Sequence, residues 1–254
     1  MISRQKGSHL YNLGIKVLTS GKPSLNSWFQ QIRHLCLKYQ LPHPILLLED
    51  DRAKGRFDRL VRSRVVDYWE RQLRMEAAAL TSVPYFKPQF MSLSSPHPIW
   101  TSCGPCPFES RKAVIASRML SGKYLTDKLQ RHWTQNREGL CLLPACTPPS
   151  EGSLEHILLH CTALAQTRAR LHKLSRAVAK ESALLFEIIT SILESDNVDL
   201  TMQLILDSSV IPIVIKTTQS FGNHTRDRLL YLGHTWCYNI HRERMNQLGH
   251  FKFR

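Results

Sequence analysis

Apolar residues recur at threes and fours along most of this chain, the spacing that lines one face of an α-helix. Leu25, Trp28, Phe29, Ile32, Leu35 and Cys36 share such a face, predicting a helix over 25–40 that Pro42 ends. Phe57, Leu60, Val61, Val65, Tyr68, Trp69 and Leu73 predict a longer one over 54–80. Six prolines (Pro84, Pro88, Pro96, Pro98, Pro105 and Pro107) then remove helical donors, so 84–107 reads as a Pro-rich linker. Helix resumes over 108–121 and stops at Gly122, the residue type that best ends a helix. A shorter helix is expected from Leu125 to Trp133, followed by others over 153–161, 163–180, 182–195 and 198–206. The run Val210–Ile215 has β-rich composition broken by Pro212, and a last helix spans 223–247. Strict alternation is scarce and no internal repeat is present. The expected fold is mainly α. Four regions follow: an N-terminal helical region 1–83, the linker 84–107, a helical domain 108–195 and a C-terminal helical region 196–254.

Between two of those helices lies a different pattern. Cys141, Cys146, His156 and Cys161 are spaced C-x4-C-x9-H-x4-C. Thiolate and imidazole are the ligands that tetrahedral Zn²⁺ prefers, and a structural site takes four of them. Leu-Leu-Pro-Ala between the first two cysteines supplies the turn that lets both reach one ion. His156 and Cys161 fall within the spacer that lets a helical turn offer both side chains, and Ser153 is placed to cap a helix starting at Leu154. His160, four residues after His156, lies on the same face of a regular helix and is the alternative fourth ligand. A third thiolate binds Zn²⁺ more strongly, which favours Cys161. One structural Zn²⁺ here contributes on the order of 10 kcal/mol of apparent binding free energy, enough to decide whether the segment folds. The expected architecture is thus helical segments around a small Cys-Cys-His-Cys zinc-knuckle hairpin-helix.

Charge changes the picture of partners. The chain of 254 residues holds 34 Lys and Arg against 20 Asp and Glu, a net charge of +14. A balance this basic points to polyanions. Basic residues cluster at 52–74 (Arg52, Lys54, Arg56, Arg59, Arg62, Arg64, Arg71, Arg74) and at 162–180, where no acid occurs. From Gly139 to Cys161 there is no Lys, Arg or aromatic residue. A knuckle that grips bases needs a flat side chain to stack on. The zinc is therefore expected to align its flanks, with phosphate contacts from Lys123, Lys128, Arg131 and Arg137 upstream and Arg168, Arg170, Lys173 and Arg176 downstream. An apolar run long enough to span a membrane, a lipidation signal and a secretory leader are not read in the sequence. Seven cysteines without a leader are expected as thiols and metal ligands in a reducing intracellular compartment, nucleus or cytoplasm.

The knuckle and its neighbourhood resemble a known family. EHILLHC preceded by C-x4-C, with MLSGKYLTDKLQRHWT upstream (119–134) and TWCYNIHRER downstream (235–244), is similar to the zinc-binding segment near the C-terminus of non-LTR (LINE-type) retrotransposon reverse transcriptases. The likeness is strong across about 97–180 and weaker elsewhere. It implies Cys141, Cys146, His156 and Cys161 as ligands, and a region that binds the element's RNA or target DNA beside the polymerase. The polymerase palm of that family carries an aromatic-x-Asp-Asp signature that holds Mg²⁺. Here the only such pair is Asp50-Asp51, in LLLEDD with no aromatic residue before it. The pair reads as a charged helix-flanking loop. The endonuclease signature of some relatives is likewise missing. The resemblance therefore implies a non-catalytic piece that binds nucleic acid and has no small-molecule substrate.

Other chemistry is weaker. Cys103-Gly-Pro-Cys106 spells a thioredoxin-type dithiol, but it lies in the Pro-rich segment with no βαβ pattern around it, and His97 nearby does not complete a second metal site. His224, His234, His241 and His250 read as polar helix-surface residues, and Trp236 and Tyr238 as part of a packing face rather than base-stacking platforms. The alternatives to nucleic-acid binding are a zinc-stapled helical module for an acidic protein and, least favoured, a thiol oxidoreductase. The residues leave the oligomeric state open.

Overall fold

The computed structural model describes residues 28–49, 54–79, 84–90, 93, 95–131 and 138–249, together with residues 12, 13, 15, 16 and 19. Arg52, the Asp50-Asp51 pair, Arg137 and His250 lie outside them. The fold is mainly α, and among the described residues β pairing is limited to one antiparallel bridge, Leu140 with Glu151. The chain divides into two compact units, Met1–Glu76 and Ala77–Arg254.

The first unit contains α1 (Trp28–Lys38), α2 (Pro44–Glu49) and most of α3 (Lys54–Ala79). Of the apolar face expected on the first helix, Cys36 is buried but Leu35 is 47% exposed. Tyr68 packs edge-on against Tyr39 and Trp69, and the Lys38 ammonium lies 4.8–5.4 Å from all three rings.

The second unit is built around α11 (His224–Gln247), which packs against α5 (Pro107–Leu120), α7 (Ala165–Ala179), α9 (Val198–Asp207) and α10 (Pro212–Phe221). Its sequence carries nine charged or histidine residues, yet Leu229, Leu230, Leu232, Trp236, Cys237 and Ile240 are all buried. One core joins Ile115, Met119, Leu164, Leu171, Met202, Trp236 and Ile240. A second joins Val178, Leu185, Ile188, Ile192, Val214 and Leu229 across α7, α8 (Ala183–Leu193), α10 and α11. Residues of 108–195 and of 196–254 therefore share both cores, and the boundary expected at 195 disappears.

The expected linker is corrected in the same way. Within 84–107 the chain forms α4 (Pro98–Thr101), and Ile99 is 1% exposed in the core. Proline does not exclude helix at its first position, where the missing N–H is unneeded. Pro98, Pro107 and Pro212 all open helices in this way. Pro212 is also why Pro212–Ile215 is helical rather than β-like, with Ile211 extended just before it: Ile211 and Val214 face the core at the start of α10. The run Val198–Ser220 has the length and hydropathy of a membrane span, but it is broken between α9 and α10 by the short turn Ser208–Val210, and 56% of its most apolar window is buried inside the protein. It is core.

Local signals set several helix ends, and the stop at Gly122 is the expected one. Lys123 N donates to Arg118 O and Gly122 N to Met119 O, with Gly122 at φ +65°, which closes α5. Ser182 and Asn197 accept from Leu185 N and Leu200 N at the starts of α8 and α9. The helix expected over 125–133 is shorter among the described residues: α6 covers Asp127–Gln130, capped by Thr126.

Candidate metal centre

Residues 139–152 form a tight hairpin. Cys141 N donates to Ser150 O and Gly152 N to Gly139 O, both at 2.8 Å, on either side of the Leu140–Glu151 bridge. Inside it, Cys146 N donates to Leu143 O at 3.0 Å, so the Leu-Leu-Pro-Ala turn folds the second cysteine back toward the first. Thr162 fastens this turn to the helical arm: its Oγ1 donates to Ala145 O and accepts from Thr147 N at 2.8 Å.

The arm begins as expected, with the helix starting at Leu154 and His156 N donating to Ser153 Oγ at 3.1 Å. It then departs from an α-helix. His156–His160 is a π turn, closed by Cys161 N donating to His156 O at 2.7 Å. In an α-helix residues five apart stand about 140° apart around the axis, and residues four apart about 40°. A π turn closes over five residues instead. It returns Cys161 to the side of His156 and turns His160 outward, where its ring lies 3.5 Å from Glu155 and is about half exposed. The two candidate fourth ligands are separated by this one feature.

The ligand atoms of Cys141, Cys146, His156 and Cys161 all lie within 4.8 Å of one another. Cys141 Sγ is 3.8 Å from Cys161 Sγ, and Cys146 Sγ is 3.3 Å from His156 Nε2. A tetrahedron with metal–sulfur bonds of about 2.3 Å has sulfur–sulfur edges of about 3.8 Å, so the donor set fits a tetrahedral ion. Contact between the two thiols pushes Cys141 up and Cys161 down, and burial raises Cys141 further. A metal ion bound at this cluster would take both sulfurs as thiolates. Burial, followed by the charges of His160 and Arg168, lowers His156 and keeps its imidazole in the neutral form that ligates metal. Among the described residues no other cluster of metal-ligating side chains forms.

Two residues that motif reading passes over hold this hairpin on the core. The Asp127 carboxylate accepts from Arg244 Nη2 at 2.8 Å and from Leu142 N at 3.4 Å, while Arg244 Nη1 donates to Leu125 O. Both side chains are almost fully buried, at 1% and 3% exposure. Asp127 also packs against Gly152, where a Cβ would clash with the Asp127 side chain. An acid at a helix start and an arginine at a helix end are ordinary in sequence. Their meeting across 117 residues is not readable there.

The expected phosphate contacts divide into groups. Lys123 and Arg131 are exposed, whereas Lys128 is exposed but bound to Glu151 at 2.9 Å across the hairpin. Lys128 and Arg131 line one groove of about 500 Å³ with Tyr124, Leu129 and Leu154. Downstream, Arg170, Lys173 and Arg176 are exposed on α7. Arg168 differs: its Nη1 is buried without a hydrogen-bond partner, and burial lowers its pKa, with the neighbouring Cys161 opposing that shift. Three thiolates around a dication would leave one net negative charge beside the Arg168 guanidinium.

Two expectations outside the site change. His234 is 2% exposed, not a surface residue, and burial lowers it to about 4. His241 is half-buried, with Nδ1 at 3.1 Å from the Tyr124 hydroxyl, and His224 alone is exposed as expected. Trp236 is buried against His172, and Tyr238 packs on Phe108, in agreement with a packing face. Cys106 stands exposed at the start of α5 and Cys103 Sγ donates to Trp100 O, with no β-strand before them among the described residues. His97 is fully engaged, accepting from Ile99 N on Nδ1 and meeting Asp207 at 3.2 Å on Nε2.

No family model, curated protein or solved structure matches this chain. What its own residues define is a mainly α protein carrying a Cys₃His cluster able to hold a metal ion.

Proposed function

We propose that the cluster is a structural zinc site and that the chain is a non-catalytic nucleic-acid-binding segment, corresponding to the C-terminal zinc-binding region of a non-LTR reverse transcriptase. The observation that carries the reading is the continuity of the site with α7: Cys161 closes the ligand set, and the acid-free stretch with Arg170, Lys173 and Arg176 leaves directly from it. Cys₃His is a donor set of structural zinc, with no position left for water or substrate. The ion's part is to cross-link hairpin and helical arm. Thr162 fixes the turn from the other side, and the exposed guanidinium and ammonium groups of α7 meet phosphate. The net charge of +14 supplies the long-range attraction.

Metal analysis of the purified chain tests the first half. One Zn²⁺ per chain, lost in Cys146→Ser, is expected; metal retained in that variant overturns the ligand assignment. Titration with labelled RNA and DNA across salt concentration tests the second. Three phosphate contacts on a single strand weaken binding roughly 20-fold between about 50 and 200 mM salt. Zinc with no salt-dependent binding leaves the staple standing and removes the nucleic-acid reading.

A further inference from the structure

The knuckle has no aromatic residue, which leaves open where a base would be held. The helix that follows it in the chain, α7, borders a groove with an exposed aromatic ring. Helices α7 and α8 diverge around a groove of about 860 Å³. Its rim carries Lys173, Arg176 and Lys180, all exposed, and among the described residues no carboxylate lies within ion-pair distance of any of them. Glu194, at the end of α8, is the one acid that lines it. Buried Ala179 and Ile189, half-buried Leu193 and exposed Ala169 give it an apolar lining, with Thr190 beside them. His172, exposed on α7, lines the groove as well. Burial, with Arg176 and Arg168 adding to it, lowers its pKa and favours the neutral ring, which packs edge-on against Trp236.

Phe186 stands at this groove and is 56% exposed. It sits in α8 beside Leu185, which is fully buried, so the helix has a packing face and Phe186 is not on it. No ring contact engages it among the described residues. A large aromatic ring open to water beside unpaired cations matches the two requirements for gripping a single strand, a flat surface for a base and positive charge for its backbone. From Lys173 to Lys180 the cations run about 10 Å along α7, which suits a run of phosphates rather than one.

We infer that the groove between α7 and α8 binds single-stranded nucleic acid, with a base stacked on Phe186 and the backbone phosphates held by Lys173, Arg176 and Lys180. The inference rests on the nucleic-acid reading above and gives that reading a place and a strand preference. Duplex RNA or DNA has no free base face and gains nothing from Phe186. An acidic polypeptide would meet the same cations but has no planar group to place on the ring.

The test is fluorescence anisotropy of the full chain with a labelled oligouridylate and with an RNA duplex of the same length. Phe186→Ala should weaken the single strand at least fivefold and leave the duplex unchanged, because stacking is lost only where a base is free. Phe186→Trp should retain or strengthen binding, which separates stacking from misfolding. Lys180→Ala should lower the salt slope for the single strand by about 0.7. Equal affinity of Phe186→Ala and the unaltered chain for the single strand overturns the groove while nucleic-acid binding stands. No binding of either probe by the unaltered chain removes both. Equal binding of polyglutamate, weakened equally by Phe186→Ala, assigns the groove to acidic protein instead.

Discussion

Replacing Gly233 by alanine sets two effects of opposite sign against each other. Gly233 lies in the middle of α11, where glycine is about 1 kcal/mol less favourable than alanine. On propensity alone the substitution stabilises. The structure gives the larger opposing effect. A Cβ at this position would fall inside contact distance of the Ile205 carbonyl oxygen, 3.1 Å from its carbon and 3.3 Å from the Leu204 oxygen. These are backbone atoms of α9, so no side-chain rotation relieves the overlap, and the two helices must part by about 1 Å to restore ordinary separation. Met202, Ile205 and Leu206 on α9 and Leu230, Trp236 and Cys237 on α11 belong to the core that such a shift disturbs. Overpacking of this kind costs about 3 kcal/mol at the upper end of its usual range. Setting the gain of about 1 kcal/mol against it leaves a loss of about 2 kcal/mol. For a unit of this size that lowers the melting temperature by roughly 4–8 °C. Thermal unfolding followed by circular dichroism measures it directly. A Gly233→Ala chain that melts at or above the unaltered one refutes the close approach of α9 and α11.

Two further predictions concern buried charge. His234 has its folded pKa lowered to about 4 from 6.5, so the unfolded chain binds its proton first as pH falls. Its contribution is fully present above pH 6.5 and is lost progressively down to pH 4, amounting to about 3 kcal/mol. The urea midpoint should fall between pH 7 and pH 5, less steeply in His234→Phe; an unchanged slope in that variant is the contrary result. Asp127→Asn strands the Arg244 guanidinium at 3% exposure and should cost about 3–5 kcal/mol. A loss below about 1 kcal/mol by urea unfolding would show that the pair does not hold the hairpin on α11.

The helices were legible where one face of a helix meets one core. Periodicity placed α5, α7, α8 and α11 within a few residues, and Gly122 marked the end of α5 through local hydrogen bonds that depend on little else. Pattern misled at proline, because the same residue that forbids a helix interior favours a helix start. The linker and the β-like run were both read from Pro98, Pro107 and Pro212 without that distinction. The four residues of the cluster were visible because their chemistry and spacing are carried by a short segment. The choice between Cys161 and His160 was not, since it turns on whether the chain closes over four residues or five. Asp127 with Arg244, Phe186 and the burial of His234 all arise from tertiary packing between distant segments, which single-sequence spacing does not encode.

The π turn between His156 and Cys161 makes length variation in this arm one-sided. Deleting one residue from 157–160 brings the two ligands to a four-residue separation, which an ordinary α-helix places about 40° apart, still able to face one ion. Adding one residue leads to a six-residue separation, about 240° around the same helix, and no regular turn restores it. A functional descendant of this chain can therefore shorten the arm and keep a cluster able to hold a metal ion. It cannot lengthen the arm without giving up one of the two ligands or the helix that carries them.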